Sequence, residues 1–360
     1  MSRRATEGTS LAAMVRMALP ICRAAERQRP RPGPGRLPDY DDASIAMLIA
    51  IAVLKKRTSK SAQYRFLTQH RRSLMRWLNL KRWPTRSTYF RRYRRARELY
   101  AVCIELQGRQ ALAEGIGNAE TVAVDKSLVS ARGPRWHRAD RKRGRVPRGL
   151  RGVDRDSDWG FSRHDGWVQG YSYEVLVTAG PGGVVLPLLA SADTAAASEQ
   201  RTFGEKIDRL PTATHIVLAD SGYDSNEHGN RIEYDERGRR TGRRFLCPAN
   251  PRNTGRRRSR RPRAPVAAGR RRDHRRRQQR IAHYESRSGQ RQYARRGQTV
   301  EPFHEWFKDL FGLTDRVWHR GLDNNRTQLL AAIFCYQLLL RYNHRRGRHN
   351  GQIRWILDTM

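Results

Sequence analysis

Five apolar runs with strand character, divided by polar breaks, fill the middle of this chain. They are TVAVDKSLV from residue 121, YSYEVLVTA from 171, GVVLPLLAS from 183, HIVLAD from 215 and RFLCPA from 244. Aliphatic and β-branched residues in unbroken runs or at a period of two are what a sheet requires. The break at residues 180–183 is short enough for a hairpin, which predicts antiparallel second and third strands. Before the fourth run comes ASEQRTFGEKIDRL, which reads as a crossover helix, so the fourth strand is predicted to pair in parallel. The central region is therefore expected to be a mixed α/β sheet.

Helical patterns lie on both sides of it. The first 37 residues end in RQRPRPGPGRL, a Pro/Arg/Gly stretch that cannot hold a helix, and are read as a disordered arm and linker. Residues 38–115 read as all-helical: Asp41 and Asp42 precede Ile45, Leu48, Ile49 and Val53, which share one helix face. Further on, PTRSTYFRRYRRARELY carries Arg91, Arg92, Arg94, Arg95 and Arg97. This is either the reading helix of a helix-turn-helix or a solvated basic helix. The sheet domain is expected over 120–345, with an arginine-rich insertion at about 250–292 and a tail at 346–360. Residues 132–167 read as an irregular loop. Residues 256–280, about half arginine with Asp273 the only acid, are expected to be disordered alone and to contact phosphates.

Lys and Arg outnumber Asp and Glu by 73 to 34, a net charge of +39. Self-repulsion on this scale destabilises a compact chain, and a polyanionic partner that sheds counterions on binding accounts for it. Nucleic acid fits better than a membrane: the longest apolar runs, near 45–54 and 329–340, fall short of the ~20 residues a span needs. LAAMVRMALPIC contains Arg16 and lacks a small-residue cleavage site, so it is not read as a signal peptide. Cys22, Cys103, Cys247 and Cys335 form no C-x-x-C pair, which fits a reducing cytoplasm.

In so basic a chain, acids at the ends of apolar strands stand out. Asp125 closes TVAVD and Asp220 closes HIVLAD; Asp-Ser-Gly also reads simply as a strand end, with Gly222 free to take a positive φ. Glu301 precedes Pro302, which is tolerated in a first helical turn and so predicts a helix start there. Three carboxylates brought together by a fold could hold two hard divalent cations for phosphodiester chemistry. Otherwise each acid is an isolated strand end or helix cap.

The stretches AVDKSLVSAR, LADSGYDS and YARRGQTVEPFHEWFK resemble the three signature regions of DDE transposases of bacterial insertion sequences. The resemblance implies an RNase H-like mixed sheet flanked by helices, with an N-terminal all-helical DNA-binding region. It implies Asp125, Asp220 and Glu301 as catalytic residues and ligands of Mg²⁺, with Mn²⁺ as a substitute. Tyr293, Arg296 and Lys308 would contact DNA, as would Arg91 and Arg92, although Arg296 lies one residue further from the glutamate than the commonest pattern. Glu305 and Asp224 are the rivals of Glu301 and Asp220. His304, His215 and His228 are read as structural or DNA-facing, and the tryptophans as core or interface residues, with base stacking as the alternative. The implied function is binding of the element's inverted repeats, cleavage and strand transfer by a homodimer on double-stranded DNA, in the cytoplasm at the nucleoid. A nuclease without strand transfer and a non-catalytic DNA-binding protein remain the other readings.

Overall fold

The computed structural model describes residues 9–29, 39–181, 183–251 and 268–360. Ser10, Asp41 and Ser59 cap α1 (Leu11–Gln28), α2 (Asp42–Leu54) and α3 (Lys60–Gln69), each accepting a first-turn N–H on its side chain. Next come α4 (Arg71–Leu78) and the long α5 (Arg86–Ala113). The sheet region holds β1 (Thr121–Ser130), α6 (Arg138–Lys142), β2 (Asp158–Ser162), β3 (Gly166–Thr178), β4 (Pro187–Thr194), α7 (Glu199–Gly204), β5 (Ile216–Leu218), α8 (Asn226–Glu233) and β6 (Arg244–Leu246). The chain closes with α9 (Ala268–Glu285), α10 (Arg287–Leu310), α11 (Leu322–Arg345) and α12 (Arg354–Asp358).

One edge of β3 pairs antiparallel with β1, and its other edge is shared by β2 and β4. Parallel to β1 lies β5, and parallel to β5 lies β6. Setting β2 aside, the order β4-β3-β1-β5-β6 is that of an RNase H-like sheet, a mixed α/β fold flanked by helices. The hairpin and the parallel crossover both follow the sequence expectation.

Four local expectations are corrected. Residues 132–167 are not wholly irregular: they contain α6 and β2. The segment is pinned by Asp154, which accepts from Tyr171 Oη (2.7 Å) and Gly321 N (3.1 Å), and by Trp136 N donating to Gln169 Oε1 (2.6 Å). The arm expected over 1–37 contains α1, which buries Met14, Val15, Ala18, Leu19 and Cys22 against the other helices; residues 1–8 and 30–38 lie outside the described residues. In the arginine block, 268–285 form α9, and 252–267 lie outside the described residues. Pro302 sits inside α10 rather than in its first turn. The carbonyl that loses its donor belongs to Gln298, which is exposed, so water can take the bond.

The N-terminal helices are not set apart from the sheet. Buried residues of α1, α2 and α5 join those of α11 and the sheet in one core. Gly108 makes the close approach possible: a Cβ there would come within 3.1 Å of Leu188 Cα on β4. Gln107 donates to Phe334 O (2.9 Å), and Gln337 donates to Ile104 O (2.8 Å) and Pro187 O (2.7 Å), so buried amides tie α5, α11 and β4 together. The four cysteines are free and buried. No helix among the described residues is long and apolar enough to cross a membrane.

Where α5 ends, Glu114 receives Arg341 through Nε (2.9 Å) and Nη2 (2.6 Å), and Arg345 through Nη2 (2.6 Å). Burial pushes this carboxyl up, but the two guanidiniums more than reverse that and bring it down to about 2. A depressed folded-state pKa stabilises the protein above the ordinary carboxylate range, and that contribution disappears as pH falls toward 2. Glu114→Gln is therefore expected to cost about 2 kcal/mol at pH 7, with the gap from wild type closing as the pH is lowered. Denaturant midpoints measured from pH 7 to pH 3 test this, and a pH-independent gap would refute the assignment.

Candidate active site

Asp125 does not end its strand. β1 continues to Ser130 because β3 stays paired with it along its whole outer half, Asp125 facing Val175 and Ser130 facing Gly170. What ends near Asp125 is the other neighbour, since the last pairing with β5 is Ala123 to Leu218. Asp125 thus stands where β1 has lost its parallel partner, beside the crevice that such sheets use for ligands.

Asp220 follows two residues after β5 and caps a single 3₁₀ turn, Ser221–Tyr223, its Oδ1 accepting from Gly222 N at 2.7 Å. The strand-end reading of Asp-Ser-Gly is therefore correct as far as it goes. Gly222 is not there for a positive φ, however, because it is absent from the residues in that region. A Cβ on Gly222 would collide with Glu199 Oε2 and come within 3.0 Å of Asp220 Oδ1. With no side chain on residue 222, the Glu199 carboxylate lies directly against the turn.

Tyr223 anchors the motif from below. Buried against Phe203 in an edge-on contact, it donates to Glu174 Oε2 at 3.0 Å. Glu174 lies on β3 and also receives Thr202 Oγ1 (2.6 Å) and Lys206 Nζ (2.6 Å). Lys206 reaches Ser191 Oγ (2.6 Å) and Thr202 O (2.8 Å) as well. Both members of this ion pair are almost completely buried, with side-chain exposures of 3% and 2%.

The electrostatics of the acids are coupled. Burial pushes the Asp125 carboxyl up, but His304 and Arg296 outweigh it and hold it below the usual range. Arg296 Nη2 is 2.8 Å from Asp125 Oδ1, and His304 Nε2 is 3.5 Å from Oδ2, while Tyr173 Oη lies 3.1 Å from His304 Nδ1. For Asp220, burial and then the like charge of Asp125 push the carboxyl up, with Arg296 and the Gly222 N–H opposing. Burial also raises Glu199, as do Asp220 and Asp125, against the pull of Lys126 Nζ at 3.0 Å. Asp125, Asp220 and Glu199 therefore share one field, crossed by Arg296 and Lys126.

The other sequence candidates fall around this centre. Glu301 is exposed on α10, and so is its rival Glu305. Neither has a resolved link to Asp125 or Asp220. Asp224 is tied to α9 through Arg277 (2.5 Å) and to Asn250 N (2.8 Å), which makes it an anchor of the arginine-rich helix. Arg276 lies 3.5 Å over the Tyr234 ring and Arg280 reaches Asn226 (3.2 Å), so part of that helix's charge binds protein, not phosphate. Tyr293 is half-buried edge-on to Tyr284, and burial pushes its hydroxyl up. Burial pulls the Lys308 ammonium down, with Asp165 opposing. Arg91 is exposed, whereas Arg92 is held by Asp42 at 2.5 Å and by Tyr40 O. His228 is buried beneath Tyr223, and His215 is exposed. His304 is buried, with Nδ1 against Tyr173 Oη and Nε2 3.5 Å from Asp125 Oδ2.

Glu199 and Lys126 were missed from sequence. Their signals were small: an acid in the first turn of the crossover helix after Ser198, and a lysine directly after the conspicuous aspartate.

Among the described residues, no three His, Cys, Asp or Glu side chains stand close enough to chelate a metal ion. That is compatible with magnesium, which keeps several waters and takes only one or two protein carboxylates beside substrate phosphate oxygens. The hard oxygens of Asp125 and Asp220, and the repulsion that raises Asp220, suit a divalent cation.

The sequence profile of the transposase DDE domain family matches residues 117–338. The chain belongs to the DDE transposases, with the general recombinase or nuclease role of that family. No curated protein and no solved structure shows significant similarity to it.

The buried pair beneath the motif can be tested directly. Glu174→Gln leaves the Lys206 ammonium buried without a counter-charge, so a loss of roughly 3–5 kcal/mol is expected. Equilibrium denaturation checks this; a change under 1 kcal/mol would mean that the pair does not hold the site together.

Proposed function

We propose that this protein binds the terminal inverted repeats of its own insertion sequence, cuts DNA there, and joins the freed 3′-OH to target DNA. The observation that carries this reading is the electrostatic coupling of Asp125 to Asp220 beside a sheet crevice, in a DDE-family chain of net charge +39. Asp125, Asp220 and Glu301 would hold Mg²⁺, with Mn²⁺ as a substitute. When bound, the ion polarises the phosphoryl group and generates a nucleophile at neutral pH.

The protein's own groups have separate tasks in this reading. Arg296 neutralises Asp125 while no DNA is bound, and its guanidinium is suited to take a phosphate instead. His304 is held by Tyr173 on one side and faces Asp125 with the other, which fixes the carboxylate's orientation. Lys308 grips a phosphate beside the acids, and Tyr293 packs the DNA end. The exposed face of α5, with Arg91, supplies backbone contacts that add affinity without sequence choice. A homodimer on the paired ends completes the proposal.

Incubating labelled element ends with protein, Mg²⁺ and a target plasmid separates the outcomes: retarded DNA alone, cut DNA, or cut and joined DNA. Joined product is expected. Asp125→Ala, Asp220→Ala and Glu301→Ala should each abolish cutting while end binding persists, and any of the three that cuts at the wild-type rate is not a ligand. Lys308→Ala should flatten the log–log salt dependence of end binding by about one unit; an unchanged slope removes it from the contacts.

A further inference from the structure

Glu199 has no task in the proposed function, yet its carboxylate is held in a specific place. Lys126 Nζ reaches Glu199 Oε1 at 3.0 Å and donates to Ala197 O at 3.0 Å, so β1 anchors the start of α7. The other oxygen, Oε2, lies against the turn that carries Asp220. The point a Cβ would occupy on Gly222 collides with that oxygen and is 3.0 Å from Asp220 Oδ1. Glu199 and Asp220 therefore turn oxygens toward one another across the backbone of a single residue.

Side chains alternate along β1, so Asp125 and Lys126 leave the strand on opposite faces. Asp125 meets Arg296 and His304 of α10, and Lys126 meets the start of α7. The Asp220 turn stands between the two groups. Burial pushes the Glu199 carboxyl up, and Asp220 and Asp125 add to this against the pull of Lys126. A separate observation points into the same centre. His304 is only 8% exposed, and its Nε2, on the side of the ring that faces Asp125, has no hydrogen-bond partner among the described residues. Buried polar atoms are normally met by protein, water or a ligand.

We propose that Glu199 is a fourth acid of the centre, accepting hydrogen bonds from the water shell of the divalent cation that Asp125 and Asp220 would hold, and that Lys126 is the internal counter-ion which this cation displaces. Among the described residues no three acids stand close enough to chelate an ion directly, which assigns Glu199 to the waters and not to the ion. Magnesium keeps several of its waters, and a carboxylate that fixes them orients the ion without touching it. Lys126 suits an exchange of partners, because its ammonium is a point charge on a flexible stem. The inference rests on the metal reading of Asp125 and Asp220 given above.

The test titrates the full-length protein with Mn²⁺ near neutral pH, without DNA, and reads free Mn²⁺ by electron paramagnetic resonance. Glu199→Gln should weaken Mn²⁺ binding by about 10-fold. Lys126→Met should tighten it by roughly 3- to 10-fold, because a like charge leaves the ion's neighbourhood. A pair with only a structural role would not move the two variants in opposite directions. Glu199→Gln that binds as wild type does, or Lys126→Met with unchanged or lower affinity, overturns the proposal. Melting temperatures without added metal show whether the variants fold; should Glu199→Gln fail to fold, Lys126→Met decides alone. Asp125→Asn and Asp220→Asn set the reference. If they too bind as wild type does, the metal reading of the centre fails and this inference with it. If they lose Mn²⁺ while Glu199→Gln keeps it, only this inference fails.

Discussion

The buried Glu174–Lys206 pair holds the candidate site in place. With Glu174 itself on β3, the pair's partners come from three further elements: Ser191 from β4, Thr202 from α7 and Tyr223 from the turn after β5. Two opposite charges with almost no exposure survive only when nearly every donor and acceptor is met, and here both are heavily satisfied. The geometry that satisfies them also fixes where α7 starts and where the Asp-Ser-Gly-Tyr turn sits. Glu199 and Asp220 are thereby set above the pair, with the Glu199 carboxylate against Gly222.

Above that foundation, the site has more negative charge than it can hold alone. Asp125 is balanced by Arg296 from α10, and Glu199 by Lys126 from β1. Asp220 has the Gly222 amide and a share of Arg296's field, and its carboxyl stays raised. Side-chain cations thus do part of the work a divalent ion would do. In the proposed reading these elements also meet DNA, so acid neutralisation and DNA contact would draw on the same groups. A polyanion that attracts Arg296 would free Asp125 as it arrives.

Much of this was legible in the chain, and the failures have physical causes. The five strands read correctly because their aliphatic runs are long and bounded by turn residues. β2 did not, since DWGFS is short, carries Gly160 at its centre and becomes a strand through the extension of β3 beside it. α1 has a readable apolar face in Met14, Val15, Ala18, Leu19 and Cys22, but the Pro/Arg linker after it dominated the reading. Pro302 marked a helix start by rule, yet α10 continues through it because the freed carbonyl faces water. Asp125 and Asp220 could be picked out as acids in a basic chain. Glu199 could not, because its significance lies in a contact with a glycine distant in sequence.

The different backbones of the two aspartates have a mechanical consequence. Asp125 belongs to a strand clamped residue by residue to β3, whereas Asp220 rides on one turn of 3₁₀ helix beyond the end of β5. The first carboxylate is a fixed reference point, whereas the second hangs on a short turn held by Tyr223 below it and by the Gly222 amide. Whatever adjustment the centre makes to a bound group is left to that turn, and amide hydrogen exchange should be faster at Ser221 than in the middle of β1.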